Sequence, residues 1–313
     1  MISIVTRTLD WTLPKDPFVR YLGPSKAPKS AIMDALDLAC SLRGYGWDWS
    51  AGVYFPPETR PRCYKGFVFY VIFSTVIHAL ICGILHTTIR AFSPMDIGAA
   101  GGSIFDGTLP FHARYLRSSL ISICAMFGVY AFIQVCYDTC TLGGVLFLGQ
   151  EPKQWAPAFD APWCATSVSG FWGRRWHQFY RRMFLVQGGF PLSFLGRPGL
   201  VIGAFLSSGV MHHLAMIILN DQLDPWLIIA GFGMMAPVVL TEYAFKKLTG
   251  RKVGGAVGWV WTTVWLLIWG NPIVDGFARC VMFGRFNFTE SAVPRKDVIV
   301  HLVASLDAWL HTM

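Results

Sequence analysis

Residues Gly66 to Ile89 read GFVFYVIFSTVIHALICGILHTTI. The run contains no Asp, Glu, Lys or Arg, and it exceeds the roughly 20 apolar residues that carry a helix across the ~30 Å hydrocarbon core of a bilayer. A surface helix of a soluble domain would need a continuous polar face, and this run has none. Arg60, Arg62 and Lys65 stand immediately before it, as expected for the cytosolic flank of a membrane span.

Outward from this run the same pattern recurs. Further spans are predicted at about Ser118–Tyr137, Leu200–Leu219, Trp226–Leu240 and Gly254–Val274. Thr139–Leu148 is apolar but short, so it reads as a re-entrant or interfacial piece. Val298–Leu310 is a further short apolar stretch. Ahead of the first span, Pro14, Pro17, Pro24 and Pro28 punctuate the chain, no apolar signal-peptide core is visible, and one short amphipathic helix is predicted near Ser30–Leu42. Residues 1–62 are therefore read as a non-spanning N-terminal segment and 63–313 as the transmembrane domain. The fold class is all-α, a polytopic transmembrane helix bundle with an interfacial amphipathic helix.

Composition agrees with this reading. The 313 residues are 54% hydrophobic and 14% charged, against about a quarter charged in ordinary soluble domains. The net charge of +8 does not indicate a nucleic-acid partner, because the basic residues lie in short clusters beside apolar runs. Those clusters are Arg60–Lys65, Arg174–Arg182 and Lys246–Lys252, and alternate crossings put all three on the cytosolic side. Asp221 and Asp224 form the opposite, lumenal loop. The eight cysteines include no CxxC pair and no Cys/His spacing of zinc type, so neither a structural metal nor a disulfide framework is expected.

Two constellations carry chemistry. The first is Phe171-Trp172-Gly173-Arg174-Arg175-Trp176-His177-Gln178-Phe179-Tyr180-Arg181-Arg182-Met183-Phe184. On a continuous helix, Arg174, Arg175, Gln178, Arg181 and Arg182 share one arc and the aromatic residues the other, with His177 at the border. That helix lies in the membrane interface, and its arginines are suited to phosphate. The second is Ser207-Ser208-Gly209-Val210-Met211-His212-His213, inside the third span. Histidine at membrane depth is costly and marks function or a helix–helix hydrogen bond. The two histidines project about 100° apart, so only one faces a given cavity. His78 and His86 lie on one face of the first span and, lacking a nearby carboxylate, are read as contacts to a neighbouring helix. Asn220 and Asn271 are read as helix-end groups.

The run Phe171–His177 resembles the FWGRRWH/N motif of wax synthase-like members of the membrane-bound O-acyltransferase family. Ser208-Gly209-Val210-Met211-His212 resembles that family's SGxxH element, and Arg43-Gly44-Tyr45-Gly46-Trp47 its RGxGW element, all in the family's order. The resemblance covers roughly residues 40 to 275. It implies that His212 is the catalytic histidine and His177 the second active-site residue. Trp172, Arg174, Arg175, Trp176 and Ser208 around them are read as substrate-binding residues. It also implies acyl-CoA as co-substrate, with acetyl-CoA favoured, no permanently bound cofactor or metal, and a lipophilic alcohol as acceptor inside the membrane. His177, where relatives carry Asn or His, resembles fungal enzymes that acetylate terpenoid hydroxyls in secondary metabolism, so an acetyltransferase is preferred to a long-chain wax ester synthase. The expected location is the endoplasmic reticulum, the protein being multi-pass and in contact with membrane lipid.

The sequence departs from the family at Gly170, where relatives often have Asp, and at His213, where an acidic residue often follows the catalytic histidine. Relatives also carry additional spans before the RGxGW element. These departures keep a catalytically inactive lipid-binding or scaffold relative as the alternative. A desaturase-like metalloenzyme would need several HxxxH or HxxHH boxes, and a transporter paired broken helices; the sequence offers neither.

Overall fold

The computed structural model describes residues 8, 10–12, 16–21, 30–92, 97, 101–217, 225–280 and 293–313. The described residues are helical apart from loops and one isolated antiparallel bridge between Arg20 and Trp47. The principal helices are α1 (Ala31–Cys40), α2 (Tyr64–Phe92), α3 (Phe111–Phe147), α4 (Gly196–Ile217), α5 (Pro225–Gly233), α6 (Met235–Thr249), α7 (Gly255–Arg279) and α8 (Lys296–Leu310). Among the described residues, five stretches are long and apolar enough to cross a membrane: α2, α3, Ser193–Ile217, α5 with α6, and α7. Their large apolar side chains face outward, Phe69, Ile72, Phe73 and Val76 on α2 being exposed. That is the surface a lipid solvent permits and water does not.

The helix ends follow local chemistry. α1 is capped by Ser30, whose hydroxyl accepts from the Met33 amide at 3.4 Å. α5 and α6 are separated by a turn at Met234. The cause is Pro237, which has no N–H to offer the Gly233 carbonyl and whose ring crowds it. α3 runs unbroken through Thr139–Phe147, so the re-entrant reading of that stretch is wrong. At 1.5 Å per residue its 37 residues extend about 55 Å, well beyond the hydrocarbon core. Leu142 and Val145 bury against Phe67, Val71 and Trp155, and that packing keeps the stretch helical.

The chain divides into two compact units. Unit 1 comprises Met1–Val71, Thr139–Ser207 and Ala236–Thr262, and unit 2 comprises Ile72–Asp138, Ser208–Met235 and Thr263–Met313. Within unit 1, Arg60 donates to the Trp155 carbonyl and to Glu58; burial raises the Glu58 carboxyl, but the Arg60 side-chain and backbone hydrogen bonds outweigh it and hold it below its usual range. Within unit 2, an apolar core gathers Ile89, Phe92, Ile104, Ile121, Val274, Ala278, Val303 and Leu310. Arg117, 1% exposed, pins this core. Its guanidinium donates to Asp307 at 2.7 Å, to the Ile104 carbonyl at 3.1 Å and to the Phe92 carbonyl at 2.8 Å. Asn271 lies inside α7, not at its end, and donates to Ser118 and Ser119 of α3 at 3.2 Å each. Asn220, Asp221 and Asp224 lie outside the described residues.

His78 does contact a neighbouring helix, its ring meeting Tyr130 edge-on with centroids 5.6 Å apart. A carboxylate is nearby all the same: His78 Nδ1 is 3.2 Å from the Ser74 hydroxyl, which donates to the buried Asp138 at 2.6 Å. Gln134 donates to the same carboxylate at 2.8 Å. The connection joins α2 to α3, a relation no sequence spacing reveals.

Candidate active site

In unit 1 the FWGRRWH element is not one amphipathic helix. A short helical turn, Val168–Gly170, passes into a wider π-turn over Phe171–Arg175. The chain then breaks at Trp176, whose ψ is 154°, and resumes helix only at Arg181. Gln178 accounts for the break. It is 3% exposed, and its amide donates to the carbonyls of Trp172 at 2.9 Å and Trp176 at 2.8 Å, taking acceptors that a continuing helix would use.

The break sets His177 among rings. Its imidazole stacks on Phe179 at 5.0 Å and meets Phe159 at 5.7 Å, Trp176 at 5.5 Å and Tyr180 at 6.1 Å. Trp172 packs edge-on against Phe205 of α4 at 6.1 Å.

The arginines do not share one solvent face. Arg175 donates to the carbonyls of Asp160 at 2.8 Å and Ala161 at 3.1 Å. Arg182 is clamped by Asp10 at 2.5 and 2.7 Å and by the Trp49 carbonyl at 3.0 Å. Burial pushes the Arg181 guanidinium below its usual range. Arg174 is exposed, its guanidinium 5.9 Å from the Tyr54 ring, so it is the arginine of the motif best placed to meet a soluble anion.

The RGxGW element serves the same unit. Arg43 is buried and donates to the carbonyls of Pro157, at 2.6 Å, and Ala156. Its guanidinium also lies 5.3 Å from Phe179, the ring on which His177 stacks, and 5.5 Å from Phe55. Gly44 adopts φ +63°, and a Cβ there would stand 2.5 Å from the Trp49 indole, so no other residue fits.

In unit 2, Ser208, Gly209 and His212 lie on α4. His212 Nδ1 is 2.8 Å from the Ser208 carbonyl. A carbonyl only accepts, so Nδ1 carries the proton and Nε2 presents its lone pair. His78 and His311 make the same bond to the carbonyl four residues earlier. What distinguishes His212 is its neighbour: the ring stacks on Phe232 of α5 with centroids 4.3 Å apart. Gly209 makes that approach possible, because a Cβ on it would stand 2.9 Å from the Ile229 Cα. Ser208 contributes its carbonyl to the arrangement. His213 is the more buried of the two histidines, 8% exposed, and its Nδ1 has no partner among the described residues.

The residues singled out from sequence thus fall in two groups. Trp172, Arg174, Arg175, Trp176 and His177 gather in unit 1, and Ser208 and His212 lie in unit 2. Sequence reasoning missed Glu242. It is 6% exposed on α6 and receives the amides of Val168 at 2.6 Å and Ser169 at 2.9 Å, together with the Trp261 indole at 3.0 Å. The signal available was a single acidic residue near the end of an apolar run, which reads as a helix-end charge.

The helices and their outward apolar faces define an integral, multi-pass membrane protein. Within that class, residues 155–234 match the Membrane bound O-acyl transferase family. An acetyltransferase of Rhodocybe pseudopiperita is 26% identical over 270 residues, 78% of this chain and 67% of that protein. An acetyltransferase of Hericium erinaceus is 26% identical over 239 residues, 69% of this chain and 59% of that one. A "Probable long-chain-alcohol O-fatty-acyltransferase" of Arabidopsis thaliana is 25% identical over 165 residues, 48% of this chain and 46% of that one. The chain thus spans only part of the length of these relatives. No solved structure matches it. These matches agree with the resemblance carried by Phe171–His177 and Ser208–His212, both of which lie inside the matched residues: that stretch of the chain is similar to the membrane-bound O-acyltransferases.

Proposed function

We propose that the protein transfers an acyl group, acetyl in preference, from acyl-CoA to the hydroxyl of a lipophilic acceptor of terpenoid type. The observation that carries the reading is His212. Its Nδ1 proton is committed to the Ser208 carbonyl, which leaves Nε2 as a base within an apolar span. In this mechanism Nε2 takes the hydroxyl proton as the alcohol oxygen attacks the thioester carbon. The C–S bond breaks, the coenzyme A thiolate leaves, and the proton returns from His212 to that sulfur. His177, held among aromatic rings, donates to the developing oxyanion or orients a substrate. Arg174 meets the phosphates of coenzyme A, while Trp172 and Trp176 supply apolar contact. Transfer is direct, from the coenzyme A sulfur to the acceptor oxygen, without an acyl-enzyme. The endoplasmic reticulum suits such an acceptor and is the proposed location.

The acetyltransferase preference draws support from the names of the fungal relatives, and the plant relative keeps a long-chain ester synthase as the second reading. The test is expression in microsomes with acetyl-CoA or palmitoyl-CoA and a panel of terpenoid and fatty alcohols, the products read by mass. Acetylated terpenoid is the expected product. Long-chain esters alone would favour the second reading, and no ester from any pair would overturn both.

A further inference from the structure

A carboxylate inside a membrane span is costly unless its oxygens are filled with donors. Glu242 lies on α6 within an apolar span, is 6% exposed, and accepts from Val168 N at 2.6 Å, Ser169 N at 2.9 Å and Trp261 Nε1 at 3.0 Å. The first two donors are the leading amides of the turn that continues into Phe171–Arg175. The third leading amide, Gly170 N, donates to the Ser167 hydroxyl at 3.0 Å. All three amides that open the turn therefore have partners, two of them on one side chain from a distant part of the chain. Trp259 adds a second tie, donating from α7 to the Trp163 carbonyl at 2.9 Å. A helix start satisfied only by its own cap holds its local shape; one gripped by a carboxylate on α6 is also fixed against that helix.

We propose that Glu242 is a positioning residue for the FWGRRWH element. It sets where Trp172, Arg174 and His177 stand by holding the amides of Val168 and Ser169, and it touches no substrate itself. The proposal rests on the acyl-transfer reading for its catalytic consequence and on the hydrogen bonds alone for its structural one.

The full chain is purified in detergent as wild type, Glu242→Gln, Glu242→Ala and Trp261→Phe. Gln has the same size but offers one acceptor oxygen and an NH2 group, so one of the two backbone amides then faces a donor. Hydrogen–deuterium exchange of the peptides covering residues 165–176 should be faster by about tenfold or more in Glu242→Gln. Peptides from α3 should not change. The kcat per folded protein should fall by about tenfold or more through misplacement of the element, while Trp261→Phe, which keeps both backbone amides bound, should stay close to wild type. If Glu242→Ala does not fold, the Gln variant decides. Unchanged exchange at 165–176 would overturn the proposal, and so would faster exchange with an unchanged kcat, because Glu242 would then stabilise the turn without positioning the site. A wild type that turns over no acyl-CoA would remove the acyl-transfer reading, and the exchange result would still decide whether Glu242 holds the turn.

Discussion

Arg43→Lys probes whether the RGxGW element is structural cement for the site. In the native protein the guanidinium serves the carbonyls of both Ala156 and Pro157 and lies over the rings of Phe55 and Phe179. Lysine keeps the charge but has a single ammonium in place of a fork, so it satisfies one of the two carbonyls. The carbonyl left without a donor costs about 1–3 kcal/mol, since Arg43 and Ala156 are buried and Pro157 is half-buried. Weaker stacking on two rings adds about 0.5–1 kcal/mol. The sum is a destabilisation of about 1.5–4 kcal/mol. Phe179 also carries the His177 ring at 5.0 Å, so the loss should reach the proposed site. The assay is a thermal melt in detergent followed by tryptophan fluorescence, with the transferase rate of the folded fraction measured alongside. Both the midpoint and the rate should fall. A lysine variant melting within about 0.5 kcal/mol of wild type would refute the claim that the two-carbonyl fork is what the position requires.

Hydrogen bonding separates the two neighbouring arginines. Arg174→Gln should raise the KM for acyl-CoA and leave the melting temperature unchanged, whereas Arg175→Gln should lower the melting temperature by freeing the Asp160 and Ala161 carbonyls; equal KM effects would argue against a phosphate role for Arg174 in particular. Charge asymmetry predicts cytosolic placement of Arg174–Arg182 and Lys246–Lys252 and lumenal placement of Asp221–Asp224, and protection of a tag at Lys247 with cleavage of one at Asp221 in sealed microsomes would reverse it. His311 should titrate above the usual imidazole range, chiefly because Nδ1 donates to the Asp307 carbonyl at 2.8 Å and further because Asp106 lies 3.3 Å from Nε2. Since the folded value is the raised one, its contribution to holding the α8 terminus is complete at pH below the ordinary imidazole value and lost as pH rises through the folded value; NMR titration of His311 with and without Asp106→Asn checks this.

The spans were legible because the bilayer imposes a length and a composition on each helix, and Gly66–Ile89 meets both. The three motifs were legible because they are short and ordered. What the sequence concealed depends on partners far along the chain. Thr139–Phe147 continues α3 because Leu142 and Val145 find Phe67, Val71 and Trp155 to bury against. The 171–184 block looked like one amphipathic helix because periodicity cannot register that Gln178 takes the carbonyls of Trp172 and Trp176. Arg175 and Arg182 looked available for phosphate for the same reason: their acceptors are the carbonyls of Asp160 and Ala161 and the carboxylate of Asp10. Nothing in the local sequence around Glu242 or Asp138 reveals the donors that the fold brings to them from distant segments.

The rate of His212→Ala decides whether His212 is the base of the proposed transfer. Wild type, His212→Ala, His213→Ala and His177→Asn are compared at equal amounts of folded protein, judged by gel filtration in detergent, with the acyl-CoA and acceptor pair identified in the microsome screen. With His212 as the base, His212→Ala should lose about 10²- to 10⁴-fold in rate, His177→Asn should keep partial activity because Asn still donates a hydrogen bond, and His213→Ala should lose much less. A well-folded His212→Ala protein that retains most of the wild-type rate would contradict that role, and a collapse of activity confined to His213→Ala would move the base to the more buried of the two histidines.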